Sequence, residues 1–240
     1  MIRRPLLCIS LLLFAFSVPL FADNVAFTGT ADFDDPATGT SMSPYSGLLN
    51  GVAVNFFCVD SSTAVSSTAS WTATPTLLAN SSSYASTLQF QLTGNNTAAQ
   101  NNYLAMAYLV EQLQSNLNAA IQASAANNLV AEQADLNAAG EDQWAIWSFT
   151  PPNPGITNPD PYGTNAGLVS TARMAVQNGF TANFEILTPD AGQTGQEVIV
   201  PTPEPDTLLQ LLAGISAVLA VILFCKSGSL AVSKPAPAAG

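Results

Sequence analysis

Hydrophobic positions along the 240-residue chain follow three rhythms. Both ends carry unbroken apolar runs, Leu6 to Leu20 and Leu208 to Cys225. Between them, from Asp23 to Pro201, the apolar runs are short and patterned, in a length that suits one domain. NVAFTGTADF mixes β-branched and aromatic residues and predicts a strand ahead of the acidic loop Asp34-Asp35-Pro36. YSGLLNGVAVNFFCVD places apolar runs on either side of Asn50-Gly51, two residues that tolerate positive φ, and so predicts a hairpin. A Ser/Thr-rich stretch follows, with a strand expected at Tyr84–Leu92.

The period then changes. Met106, Leu109, Val110, Leu113, Leu117, Ala120 and Ile121 recur at helical spacing and predict a helix from about Ala99 to Ala125. A shorter helix is expected at Leu129–Ala139, ended by Gly140, followed by DQWAIWSF and a Pro-rich break. GLVSTARMAVQN reads as a further helix closed by Gly179, and FEILTP and QEVIVP read as closing strands. Strands, then helices, then strands predict an α+β domain with a mostly antiparallel sheet and a helical insertion.

Charge narrows the function classes. The chain has five basic and sixteen acidic residues and no histidine. Every acidic residue lies between Asp23 and Asp206, a segment whose single basic residue is Arg173. Such a surface repels phosphates and anionic lipid, which excludes nucleic acid as a partner. Without histidine the chain lacks the commonest general base, the Ser-His-Asp arrangement and most zinc sites. No cofactor is expected.

The ends indicate an exported protein. A basic start (Arg3, Arg4), the apolar run and the small residue Ala22 predict a secretory signal peptide over residues 1–22, cleaved after Ala22. The exported domain then spans 23–200, a Pro-rich linker 201–207, a transmembrane helix 208–225 and a cytoplasmic tail 226–240. Lys226 and Lys234 orient that tail inward. Pro203-Glu204-Pro205 before a lone C-terminal apolar helix with a Gly214/Ser216 step, then a basic residue, resembles the PEP-CTERM sorting signal of Gram-negative bacteria. The resemblance implies export, retention in the inner membrane through the helix, processing by an exosortase and delivery to the cell surface or an exopolysaccharide-rich matrix. This chain departs from that pattern in having Lys226 where an arginine cluster is usual. An ordinary tail anchor is the plainer alternative.

Cys58 is the sole cysteine between the two apolar ends, since Cys8 and Cys225 lie within them. No partner remains for a disulfide within the domain, so Cys58 is a buried inert thiol, an intermolecular link or a reactive group. FFCVD (Phe56–Asp60), a long helix and then DQWAIW (Asp142–Trp147) resemble the thioester domains of bacterial surface adhesins. The resemblance implies an internal thioester between Cys58 and Gln143, with Asp60, Ala145 and Trp147 completing the motifs. Asp142 stands where those domains favour threonine. Such a bond passes its acyl group once to an amine or hydroxyl, without turnover. The domain has no lysine to consume it from within. Water would be kept out by Phe56, Phe57, Trp144 and Trp147.

The remaining features carry less. Asp32, Asp34 and Asp35 form an acidic cluster that reads as a solvated loop, with calcium as the alternative. Asn80 and Asn95 head glycosylation-type triplets. Glu141 and Asp142 read as helix-start charge. The expected function is structural or adhesive and not enzymatic, with exopolysaccharide or surface proteins as targets. The alternatives are a noncovalent carbohydrate-binding protein using exposed aromatics such as Trp71 and Tyr162, and a secreted polysaccharide-acting hydrolase.

Overall fold

A computed structural model describes residues 22–64, 66–79, 84–202 and 216. The expected signal peptide up to residue 21, Pro203-Glu204-Pro205 and the C-terminal apolar run (Ser216 aside) with the tail after it lie outside the described residues. Among those described, no helix is long and apolar enough to cross a membrane.

The domain is α+β. Its strands are β1 (Asp23–Asp34), β2 (Ser41–Leu49), β3 (Val52–Cys58), β4 (Ser70–Leu77), β5 (Phe184–Pro189) and β6 (Val198–Pro201). They close into an antiparallel barrel in the order β1-β2-β3-β6-β5-β4, with β4 pairing back on β1. Each strand thus pairs with two neighbours, the β3–β6 seam through Phe57↔Ile199 and Cys58↔Val198. The β2–β3 turn falls at Asn50-Gly51, with φ of 53° and 83°, as that dipeptide requires. The bore is filled by Val25, Phe27, Phe56, Trp71, Ala73, Leu187, Val198 and Val200. Phe27 organises it, stacking on Tyr45 at 5.3 Å and meeting Trp71 edge-on at 5.1 Å. Trp71 is thus part of the core and not the exposed aromatic that the carbohydrate-binding alternative expects.

Four helices enter between β4 and β5: α1 (Leu88–Thr93), α2 (Asn96–Ala125), α3 (Leu129–Trp147) and α4 (Asn165–Gln177). Each of the first three starts on a side chain that accepts from the first turn: Thr87 from Phe90 N, Asn95 from Ala98 N and Asn128 from Ala131 N. The predicted stripe of α2 is buried from Met106 to Ala120, whereas Ile121 is exposed. The α2 stripe packs on α3 and α4 and, with Phe57, Ile186 and Ile199, forms one core between the helices and the barrel wall.

Two elements differ from expectation. Tyr84–Leu92 is not a strand: a short 3-10 turn (Tyr84–Ser86) leads into α1. The alternating Leu88, Phe90 and Leu92 are overruled by the Thr87 cap and by Gly94, whose φ of 64° closes the helix in the left-handed region. Gly140 does not end α3. It lies inside it, where a Cβ would stand 2.6 Å from Asp35 Oδ1 and 2.8 Å from the Tyr162 hydroxyl. Glycine is there for close approach, and the helix continues through the DQWAIW segment.

Candidate functional site

Cys58 ends β3, and Gln143 sits in the last turns of α3, on the face turned to the barrel. Both are buried. A third residue joins them. The Cys58 N–H donates to Ser43 Oγ at 2.9 Å, the Ser43 N–H donates to Gln143 Oε1 at 3.1 Å, and Gln143 Nε2 donates to the Cys58 carbonyl at 3.1 Å. The ring ties two strands to one helix across 85 residues of sequence. It also fixes the orientation of the carboxamide, with its oxygen on a backbone donor and its nitrogen on a backbone acceptor. Ser43 was not singled out from the sequence; nothing in SMSPYS marks it.

The thiol is free and buried. Its single S–H is shared between two acceptors, the Asp60 carbonyl at 3.2 Å and Gln196 Oε1 at 3.3 Å. Burial pushes its pKa up to about 12, and the charges of Asp60 and Glu197 add to this. The indole N–H of Trp147 and the Asp60 backbone pull the other way. That indole N–H faces the sulfur without a hydrogen bond of regular geometry. The thiol is therefore protonated at neutral pH, and no adjacent base activates it.

The other motif residues support the pair. The Asp60 carboxylate accepts from Ser62 N at 2.8 Å and from the Ser62 hydroxyl at 2.5 Å, holding the turn after Cys58. Ala145 is fully buried in the core between helices and barrel. Trp147 meets Trp144 edge-on at 5.1 Å. Phe56 faces the bore and Phe57 the helices, so both exclude water from the strand that carries the thiol.

Three acidic residues sit differently from expectation. Asp35 is buried rather than solvated: it accepts from Trp144 Nε1 at 3.1 Å, from the Tyr162 hydroxyl and the Thr38 hydroxyl at 2.5 Å each. Burial raises its pKa, but these bonds and the Ala37 N–H outweigh it and leave the carboxyl below its usual range. Through Trp144, Asp35 locks the helix turn that carries Gln143. Glu141 and Asp142 are not at a helix start but near the end of α3. Asp142 is buried against Asn116 Nδ2 at 2.8 Å, and burial, with Glu141 adding, lifts its pKa to about 7. Glu197, missed from the sequence, accepts from Leu88 N at 3.0 Å, from Thr188 Oγ1 at 2.7 Å and from the Tyr103 hydroxyl, tying β6 to α1 and α2. Burial raises its pKa against those three bonds.

Tyr162 is half-buried on Asp35. Asn95 caps α2, and Asn80 lies outside the described residues. Among the described residues no group of three His, Cys, Asp or Glu side chains is placed to hold a metal ion. No protein-family model, curated protein or solved structure matches the chain.

Proposed function

We propose that the chain is an exported surface or matrix protein, sorted by an exosortase, whose domain attaches covalently to a target through a Cys58–Gln143 thioester. The observation that carries the chemical half is the ring of Ser43, Cys58 and Gln143, with bonds of 2.9, 3.1 and 3.1 Å. The sulfur adds to Gln143 Cδ, and the Ser43 N–H takes up the charge that develops on Oε1. The C–N bond breaks, the thiol proton leaves with the nitrogen, and ammonia departs. A protonated thiol of high pKa is a poor nucleophile in water, so the reading asks proximity to supply what activation does not: the carboxamide is tied to the backbone of the residue that carries the thiol. The same burial protects the product from hydrolysis. The export half rests on the basic, apolar and small-residue succession at residues 1–22 and on Pro203-Glu204-Pro205 ahead of the apolar run.

Intact mass of the purified protein, beside its Cys58→Ala variant, tests the chemistry. The expected result is a wild-type mass short by one ammonia, converted by methylamine into its adduct at Gln143, with neither change in Cys58→Ala. A wild-type mass with no ammonia lost, and no adduct, would sink the covalent reading.

A further inference from the structure

Beside the thiol lies a cavity of about 260 Å³, walled by Ser41, Tyr45, Ser61, Thr63, Trp147 and Gln196 among others. None of its lining side chains carries a charge at neutral pH. Gln196 belongs both to this wall and to the thiol. Its Oε1 accepts from Cys58 Sγ at 3.3 Å, while its Nε2 donates to the Asp60 carbonyl at 3.2 Å and to the Thr63 carbonyl. Trp147 is also part of this wall, and its indole N–H faces the sulfur without a hydrogen bond of regular geometry.

We propose that this cavity is the port by which an acceptor amine, in its uncharged form, reaches the Cys58–Gln143 thioester, and that Gln196 is the gate. The inference rests on the thioester reading. The bond from the thiol to Gln196 exists only while sulfur carries a proton. Acylation removes that donor and leaves Oε1 facing sulfur lone pairs, so the side chain is held by its nitrogen alone and swings more readily. The amine nitrogen then attacks Gln143 Cδ; an N–C bond forms, the C–S bond breaks, and the amine proton passes to sulfur. The restored thiol donates again to Gln196 and the gate closes behind the product. An ammonium ion is turned away because the lining offers no carboxylate to replace its water.

Two readings on the full chain test this, each followed on the peptides carrying Cys58 and Gln143: methylamine capture, and iodoacetamide alkylation of the thiol that capture frees. Gln196→Ala is expected to speed both about tenfold, the loss of one to two hydrogen bonds from the closed state. Gln196→Met, which keeps the bulk, falls between it and the wild type. Ser61→Ala, which widens the cavity without touching sulfur, stays at the wild-type rate. Equal rates in wild type and Gln196→Ala, or equal acceleration by Ser61→Ala, overturn the gate. Should the wild type show no ammonia loss, the thioester reading fails, and the alkylation rates decide alone: faster in Gln196→Ala supports Gln196 as guard of the thiol, unchanged removes it.

Discussion

The barrel wall has two unlike halves. Strands β5 and β6 and the end of β3 (Phe56 to Cys58) are buried on both faces: Phe56, Leu187 and Val198 fill the bore while Phe57, Ile186 and Ile199 meet the helices. Strands β1 and β4 and the second half of β2 have one face in the bore and the other largely toward solvent, as in β4, where buried Trp71 and Ala73 alternate with exposed Ser70 and Thr72. The sequences follow suit, near-continuous apolar runs in FFCV, EIL and VIV against alternation in SWTATPTL. The candidate site stands where the buried end of β3 and the buried start of β2, which carries Ser43, meet α3. There a thiol and a carboxamide can be held dry, because the strand backbone supplies the partners of the helix's carboxamide. On the other half, the same pair would be open to water.

This contrast can be broken by substitution. The largest effect belongs to Phe57→Ala, which empties the helix-facing side of β3 and is expected to cost about 3–5 kcal/mol. Leu77→Ala, on the exposed end of β4, is expected to stay within about 0.5 kcal/mol. Chemical denaturation of both compares the halves directly; similar losses would erase the distinction. The solvent-facing half still has an inner face that must fit. At Gly47 on β2 an added Cβ would lie 2.4 Å from the Ala26 carbonyl and 2.6 Å from the Phe56 ring. Gly47→Ala is therefore expected to cost about 1–3 kcal/mol, and a neutral result would mean that the bore yields easily.

The smallest effect is a pH slope set in the helix layer. Asp142 titrates near 7 in the folded protein against an ordinary 3.8. Between those values the folded state holds the extra proton. Its stabilising contribution is complete below about 3.8 and fades as pH rises through 7. Asp142→Asn keeps a partner for Asn116 and is expected to flatten the fall in Tm between pH 5 and pH 8. An unchanged slope would assign the fall to other groups, first of them Glu197, whose carboxyl burial also raises.

Much of the fold is legible in short-range pattern. Asn50-Gly51 sets its hairpin by backbone sterics, and the stripe from Met106 to Ala120 sets α2 by its period. Local signals at Thr87 and Gly94 also specify α1, although apolar alternation there mimics a strand. The motifs around Cys58 and Gln143 are likewise visible, since their residue types stand together in the chain. Asp35 was misread because its neighbours in sequence are acidic and polar, whereas its neighbours in space are Trp144 and Tyr162.

The sequence by itself thus determined the elements, the acidic character and which two side chains were candidates for joining. These depend on residues within a few turns of one another, or on composition. Only the tertiary structure decided that the strands close into a barrel, that Ser43 completes the ring with Cys58 and Gln143, and that Gln196 lies between the sulfur and a cavity. Each of these depends on pairing across long stretches of chain — 100 residues from Ser43 to Gln143, 138 from Cys58 to Gln196. Such pairings are selected by the packing of whole faces, which no local run of residues records.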